Sequence, residues 1–583
     1  MASRFFLIVL ASLAAQAASG TLASAQWASN GVPLCVTAGA QSGTRSAPDS
    51  AGGAIVVWVD NRFGSQDIYG QRVTSNGLLV SGWPANGAPV CIASGAQLTP
   101  EVAPDGGGGA FVVWQDGRKG PGDADIFIQR ISAAGAVQWT ANGIALCDTS
   151  GIQSKPQIVP DGSGGAIVTW EDQRNGLDSD IYAQRIAANG TRYWPAQGAP
   201  VCTAGNDQIV PVCAADGSGG VLVAWEDTRA STTVSDIFVQ HLTSAGIPAA
   251  NWPVGGVAAN LTVDLRLAYA PSIVKDAAGG AIVAWEDYRN LSGDIYAVRL
   301  TAGGNVAAGW TTGGSVVCDT VDDQVGPFAV SDGAGGTIIV WQDYRGGSAR
   351  DLYAQRLTAT GVRAAGWPTS GAPVCTSAGN QDGPRAVPDG SNGAVVTWYD
   401  YRGGIQTDIY AQRITSAGQV APGWTVNGVA LCTAVADQQS PTLVGGSNGG
   451  ALVAWQDYRN NSDYDIYAQY VTGTGYVPLA VDVPDPGAGL PSFHVQEPRP
   501  NPASGVATIA FELPATRTVD ARVFDLGGRA VRVLETGRSF SAGAHVLAWD
   551  GRDQGGGRVA TGVYLVRLTA GSEVQVRRVV RLR

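Results

Sequence analysis

The sequence predicts an all-β protein: an eight-bladed β-propeller closed by its own N-terminal strand, followed by a small β-sandwich. Three observations predict it. The pattern W-x-D-x-R occurs eight times, with its Trp at Trp58, Trp114, Trp170, Trp225, Trp285, Trp341, Trp398 and Trp455, spaced 55–60 residues apart. Short β-branched and aromatic runs alternate with Gly, Asp and Asn turns, and no stretch holds a helical period. Finally, Trp27 to Cys35 reads as the last element of a unit that has no beginning, while the eighth unit stops after Asp465 to Gln469 and lacks that element.

Composition bounds the function before any motif does. The 583 residues carry a net charge of −11, a pI near 4.8 and only 3 His. That balance argues against nucleic acid as a partner, because phosphate binding needs clustered Lys and Arg. Three histidines leave little material for His-based metal sites or proton relays.

The first 25 residues read as an export signal. Arg4 precedes a short apolar run from Phe5 to Ala15, and Ala23-Ser24-Ala25 offers a small-residue cleavage site. The run is shorter than the ~20 residues a membrane span needs, and no later stretch approaches one. An exported protein, soluble or surface-attached, is the expectation.

Residues 26–478 hold the repeats. Each unit leads from a turn such as Pro104-Asp105-Gly106 into an apolar run such as Ala54 to Trp58, then a polar loop, then D-[IL]-[YF]. After a glycine turn comes a second Trp with a Cys eight residues on, as in Trp83 and Cys91. Four strands in ~50 residues is the size of a propeller blade. The run before each Trp is apolar on both faces, as a strand sandwiched between neighbouring sheets must be. The unpaired first element and the missing last one complete each other if the chain closes into a ring, which removes exposed sheet edges.

The repeated polar residues are read as framework. Asp60 and Arg62, Asp116 and Arg118, and Asp172 and Arg174 flank the same hairpin loop as Asp67, Asp125 and Asp180. The expectation is that each Arg pairs with one carboxylate while the other caps the turn. A repeated calcium site is the alternative, although no D-x-D-x-D-G loop is present. No other cofactor is expected.

Seven of the eight cysteines share one blade position (Cys35, Cys91, Cys147, Cys202, Cys318, Cys375 and Cys432), and Cys213 lies on an inner strand. An exported chain suggests disulfides. Equivalent positions on adjacent blades lie farther apart than the ~7 Å a disulfide tolerates, so free buried thiols are expected, with no zinc site.

Variation marks the candidate binding site. One inner-strand position reads Arg45, Glu101, Gln157, Val212, Ser272, Phe328, Arg385 and Thr442 around the eight units. These residues should ring one mouth of the central channel, a plausible ligand surface. The longest spacing includes Asn260 to Leu267, with Arg266, and should form a distinctive loop.

The units resemble the TolB-like and related WD-type propeller repeats over about residues 27–478. Pro388-Asp389-Gly390, Trp398-Tyr399-Asp400-Tyr401-Arg402 and Asp408-Ile409-Tyr410 carry the resemblance. It implies a propeller that binds proteins, glycans or peptides, as such propellers do; some of them catalyse.

A linker at 479–493 leads to a tail of opposite charge. From His494 to Arg583 there are 13 Arg against 8 acidic residues. Alternating runs such as Val519 to Phe524 suggest about seven strands of a small sandwich. Pro500-Asn501-Pro502, Val523 to Arg529, Trp549 to Asp553 and Gly562 to Leu568 make residues 494–583 resemble the FlgD-type Ig-like domain and the C-terminal sorting domain of type IX secretion. That resemblance implies recognition by an export machinery and display on, or release from, a bacterium with an outer membrane. Trp549 and Asp550 are expected to pin a turn.

The functional expectation is a secreted or surface binding and adhesion propeller taking a glycan, peptide or protein at one face. It is expected not to be an enzyme, because neither a G-x-S-x-G elbow nor H-E-x-x-H nor a partnered His is present. The alternatives are a propeller hydrolase of glycosidase type, for which Glu101 is the one acid in the inner ring, and a structural envelope protein.

Overall fold

The computed structural model describes residues 27–582 apart from 121, 261–266, 479–492, 496–497, 514–515, 541–542 and 572. The expected export signal, nearly all of the linker and the loop between Asn260 and Leu267 lie outside the described residues. The chain divides into two compact units, up to residue 481 and from 482 on.

The first unit contains eight four-stranded antiparallel sheets. In the first blade, Gln41–Pro48, Ala54–Asp60, Asp67–Val73 and Ala88–Cys91 run in that order from the channel outwards. The next six blades repeat the order. The eighth is built from Gln438–Gly445, Ala451–Asp457, Asp465–Val471 and, as its outer strand, Val32–Cys35 from the other end of the chain. Val32 stands opposite Ala468, and Cys35 opposite Ile466. The orphan element therefore completes the incomplete sheet and shuts the ring.

Packing explains why the second strand of each blade is mostly apolar up to its repeat Trp. All seven residues of Ala54–Asp60 are buried, because the sheet is covered on both faces by its neighbours. Apolar side chains gather into eight clusters, one in each junction between blades. Ile55 and Val57 of the first blade, for example, meet Ala110, Val112 and Trp114 of the second. At the closing junction Trp27, Leu34 and Cys35 pack with Val56 and Trp58 of the first blade and Leu452 and Ala468 of the eighth.

A glycine fixes the approach of the closing strand. Gly31 has φ +90°, and a Cβ there would stand 2.6 Å from the Trp455 ring. Only Gly takes that conformation freely and lets the backbone lie on the indole face. Outside the strands, the described residues of this unit include one 3₁₀ turn at Ser447–Gly449.

The second unit is a seven-stranded sandwich. His494–Val495, Ala507–Leu513 and Gly543–Trp549 form one sheet; Ala530–Phe540, Arg517–Asp525, Gly562–Ala570 and Glu573–Arg581 form the other. Ile509, Phe511, Val523, Trp549, Val566 and Leu568 share one core. Trp549 Nε1 donates to Arg552 O at 2.9 Å, and Asp550 Oδ1 accepts from Arg552 N. Both residues thus hold the turn that follows the strand.

Candidate functional site

The repeated Asp and Arg bind each other in all eight blades. In the first, Asp60 Oδ1 accepts from Arg62 N at 3.0 Å and from Arg62 Nε at 2.8 Å. Its Oδ2 accepts from Trp58 Nε1 at 2.8 Å and from Arg62 Nη2 at 2.6 Å. Arg62 also lies 3.9 Å over the Tyr69 ring. This corrects one expectation: a single carboxylate both pairs with the arginine and caps the turn. The planar fork of Arg engages both oxygens at once, which leaves Asp67, Asp125 and Asp180 to other donors. Ser65 Oγ serves Asp67, Lys119 Nζ serves Asp125 and Asn175 Nδ2 serves Asp180.

The thiols belong to the same framework. All eight cysteines are free, and the seven equivalent ones are buried. Arg62 Nη2 donates to Cys35 Sγ at 3.4 Å across the closing junction, and Arg118, Arg174, Arg229, Arg345, Arg402 and Arg459 repeat the contact. Burial pushes the Cys91 and Cys432 thiols up to about 12, so they stay protonated and unreactive. In the remaining blade Asn260 stands at the Cys position, and its amide donates to Asp236.

A second ring of ion pairs was not read from the sequence. In seven blades the Asp of the P-D-G-type turn caps the turn backbone and binds the side chain five residues after the Asp of D-I-Y, as Asp49 does with Ala51 N, Gly53 N and Arg72. His241 takes the Arg position in the fourth blade and faces Asp216 at 3.0 Å, and the eighth blade has Gly446 and Tyr470 at the two positions. The fixed spacing of the two motifs in the first seven units was the available signal.

A backbone device aims the variable residues into the channel. Two positions before each of them the inner strand carries a residue with positive φ: Gly43, Thr99, Lys155, Val210, Ala270, Gly326, Gly383 and Ser440. The strand pairing slips there, as between Ser42 and Arg45. Such a bulge re-aims the side chains that follow. Val210 at φ 52° is β-branched and strained. Its N–H is held at 2.6 Å by Glu171 of the preceding blade, and Glu226 and Glu286 hold Ala270 and Gly326 likewise. In these blades the residue after the repeat Trp therefore ties the second strand of one blade to the inner strand of the next.

The result is one lumen of about 530 Å³ lined by Arg45, Glu101, Gln157, Val212, Ser272, Phe328, Arg385 and Thr442 together. It is lopsided. Arg45 Nε and Glu101 Oε1 form an ion pair at 2.7 Å. Arg385 lies 5.3 Å from the centre of the Phe328 ring. Gln157 Nε2 donates to Pro156 O, Ser272 Oγ accepts from Ala329 N, and Thr442 Oγ1 pairs with Ser46 Oγ. Val212 and Phe328 supply apolar surface on the opposite side.

Electrostatics follow from this crowding. Enclosure by the surrounding blades raises the Glu101 carboxyl above its ordinary range, while Arg45 and Arg385 work against the rise. Arg385, although exposed at the surface of the channel, is pushed the other way by partial desolvation among its neighbours and by the like charge of Arg45, with Glu101 opposing. Among the described side chains lining the lumen, two guanidiniums stand beside one carboxyl, while Glu171, Glu226 and Glu286 hold its lining backbone at Val210, Ala270 and Gly326. The arrangement can receive an anion and move a proton at Glu101.

Comparison with known proteins gives one domain and a set of distant matches to solved structures. An ulvan lyase, described as a polysaccharide lyase and solved with a glucuronate–rhamnose-3-sulfate ligand, is 12% identical, with TM-score 0.40 over 77% of this chain and 96% of its own. A Penicillium chrysogenum α-L-arabinanase is 13% identical, with TM-score 0.30 over 55% and 93%. An endo-arabinase from Bacteroides thetaiotaomicron is 12% identical, with TM-score 0.27 over 60% and 99%. The expectation that the chain is not an enzyme is withdrawn: the matched solved structures are described as a lyase and two arabinanases. It rested on motifs contiguous in sequence, which residues gathered from eight separate strands do not form. No curated protein matches the chain significantly. Residues 501–573 match the FlgD Ig-like domain, and the C-terminal sandwich is a domain of that kind.

Proposed function

We propose that the propeller cleaves an acidic polysaccharide in the lumen of its channel, with Glu101 as the proton-transfer group. The observation that carries this is the Arg45–Glu101–Arg385 cluster in a cavity of ligand size. A guanidinium recognises a carboxylate in fork geometry. Arg385, stacked near Phe328, takes the uronate carboxylate, and Arg45 positions Glu101.

Glu101 is the one carboxylate side chain among the described residues lining the lumen. Glycosidases of the usual kind need a second at ~5–10 Å. Elimination from a uronate needs only one base and a cation. Glu101 removes the proton next to the carboxylate, the electron pair forms a C=C bond, and the adjacent C–O bond breaks. The departing oxygen takes a proton from water. A raised carboxyl pKa makes Glu101 a better base.

The test uses the full-length chain on uronate-containing and neutral polysaccharides, following both reducing ends and the ultraviolet absorbance of unsaturated ends. Elimination yields both signals from the acidic substrate, and Glu101→Gln lowers them about 10²-fold or more. Reducing ends without absorbance assign hydrolysis instead. Turnover untouched by Glu101→Gln refutes the site, and retention without turnover leaves a binding propeller.

We further propose export to the surface of a bacterium with an outer membrane, on the support of the signal-like segment from Arg4 to Ala25 and the basic C-terminal domain. Deleting residues 494–583 should leave a folded propeller that is not exported; export of the shortened chain overturns this.

A further inference from the structure

Grooves recur on the channel face where the inner strands begin, between the loop after W-x-D-x-R in one blade and the next blade. Three form cavities: about 450 Å³ between the first and second blades, 310 Å³ between the second and third, and 510 Å³ between the fifth and sixth. The first is lined by Asn61, Ser65 and Gln66, and the second by Gln173, Asp178 and Asp207. Only the third of these has an aromatic wall, from Tyr344, joined by Leu291, Asn290, Ser292, Asp322 and Asp323.

Leu291 in the third groove is 83% exposed and held at φ 77°, an outlying conformation for a large apolar residue; the second groove also carries an exposed leucine, Leu177, without that conformation. Leu291 gives the third cavity a second apolar surface beside the Tyr344 ring. The position of Tyr344 in the motif is also Tyr in the fifth, seventh and eighth blades (Tyr288, Tyr401 and Tyr458), but Asn61, Gly117, Gln173 and Thr228 in the first four. Tyr288 packs with Tyr269, Tyr401 with Tyr399, and Tyr458 with Tyr464, at 5.0–6.3 Å between ring centres. All are half-buried, so an aromatic arc spans four consecutive blades. Tyr399 lies within electrostatic range of Arg385, one of the residues that line the lumen.

We propose that the groove between the fifth and sixth blades is an accessory subsite for a neutral sugar ring of a polysaccharide chain. A sugar ring presents one C–H-rich face and an edge of hydroxyls. Tyr344 and Leu291 suit the face; the Asp322 carboxylate, the second oxygen of Asp323, whose Oδ1 holds Gly293 N, and the Ser292 hydroxyl suit the hydroxyls, while the Asn290 amide is held by Asp294. Two carboxylates exclude a uronate here, in contrast to the lumen with its two arginines. The subsite does not depend on the lumen being catalytic.

Affinity electrophoresis of the full-length chain through gels containing soluble xylan, galactan or mannan tests this. At least one of the three is expected to retard the protein. Tyr344→Ala should weaken that retention about tenfold, some 1.4 kcal/mol, while Tyr344→Phe keeps it and Asp322→Asn weakens it. Glu101→Gln should leave retention unchanged, which separates this site from the lumen. Equal melting temperatures for the two Tyr344 variants exclude a folding artefact. The proposal is overturned if none of the three polysaccharides retards the chain, or if Tyr344→Ala binds like the parent. It is likewise overturned if Glu101→Gln abolishes retention, or if retention follows added divalent cation and ignores Tyr344.

Discussion

Removing residues 27–35 should cost the propeller most of its stability. Four large or thiol side chains (Trp27, Val32, Leu34 and Cys35) are buried by the closing strand. At about 2 kcal/mol each they contribute roughly 8 kcal/mol. Gln469 Nε2 donates to Ala28 O at 2.8 Å, Arg459 Nη2 to Asn30 O at 2.7 Å, and Thr433 N to Asn30 Oδ1 at 3.0 Å. These bonds add about 1 kcal/mol each. The total of roughly 11 kcal/mol rivals the ~5–15 kcal/mol that holds a whole domain, and the truncation also bares the edge of Asp465–Val471. Urea unfolding followed by tryptophan fluorescence measures the loss. A circular permutant with residues 26–35 moved to follow residue 479 should recover it, because the strand then reaches the same place from the other side. Trp27→Ala alone should cost about 3–5 kcal/mol: its indole is fully buried, stacks near Tyr470 and donates to Ser75 O at 2.9 Å. A truncated chain as stable as the parent, or a permutant that does not fold, would falsify the ring closure.

Other consequences are open to measurement. Gly31→Ala should destabilise the closing junction by more than 1 kcal/mol in the same urea assay, since φ +90° and the Trp455 ring both oppose a Cβ. Asp116→Asn should cost about 3–5 kcal/mol, because it leaves the Arg118 charge without its counter-ion in a largely buried site; an unchanged unfolding midpoint would remove the ion pair from the framework. Burial and neighbouring acids push Asp180, Asp294, Asp408 and Asp465 up to about 6. Their unfolded values lie near 4, so the folded state binds more protons between pH 4 and 6. Thermal stability should therefore rise as pH falls from 7 towards 5, by a few kcal/mol in all, and a flat or falling profile would contradict that sign. Native protein should react with a thiol reagent at almost none of the seven framework cysteines, and at all eight cysteines once unfolded.

The architecture was legible because a repeat reports itself. Eight copies of one motif give eight versions of the same packing problem, and the phase of Trp27 to Cys35 against Asp465 to Gln469 carries the closure. The thiols were legible as fillers for the same reason, since equivalent points on a ring cannot meet. The second carboxylate of each loop was misread, because which Asp an Arg reaches depends on the curl of one turn rather than on spacing. The absence of contiguous catalytic motifs was read as an absence of chemistry. The lumen, however, draws its residues from eight strands some 55–60 positions apart.

Sequence by itself determined the blade, its repetition, the ring and the nature of the C-terminal domain, since these follow from local pattern and count. Only the tertiary structure decided that Arg45 would grip Glu101 while Arg385 turned towards Phe328, and that one groove among several would gain an aromatic wall. Those outcomes depend on which residues of different blades come within a few ångströms, and on the strained inner-strand bulge that turns them into a shared space. Pairwise distance across a closed ring is written in no single segment of the chain.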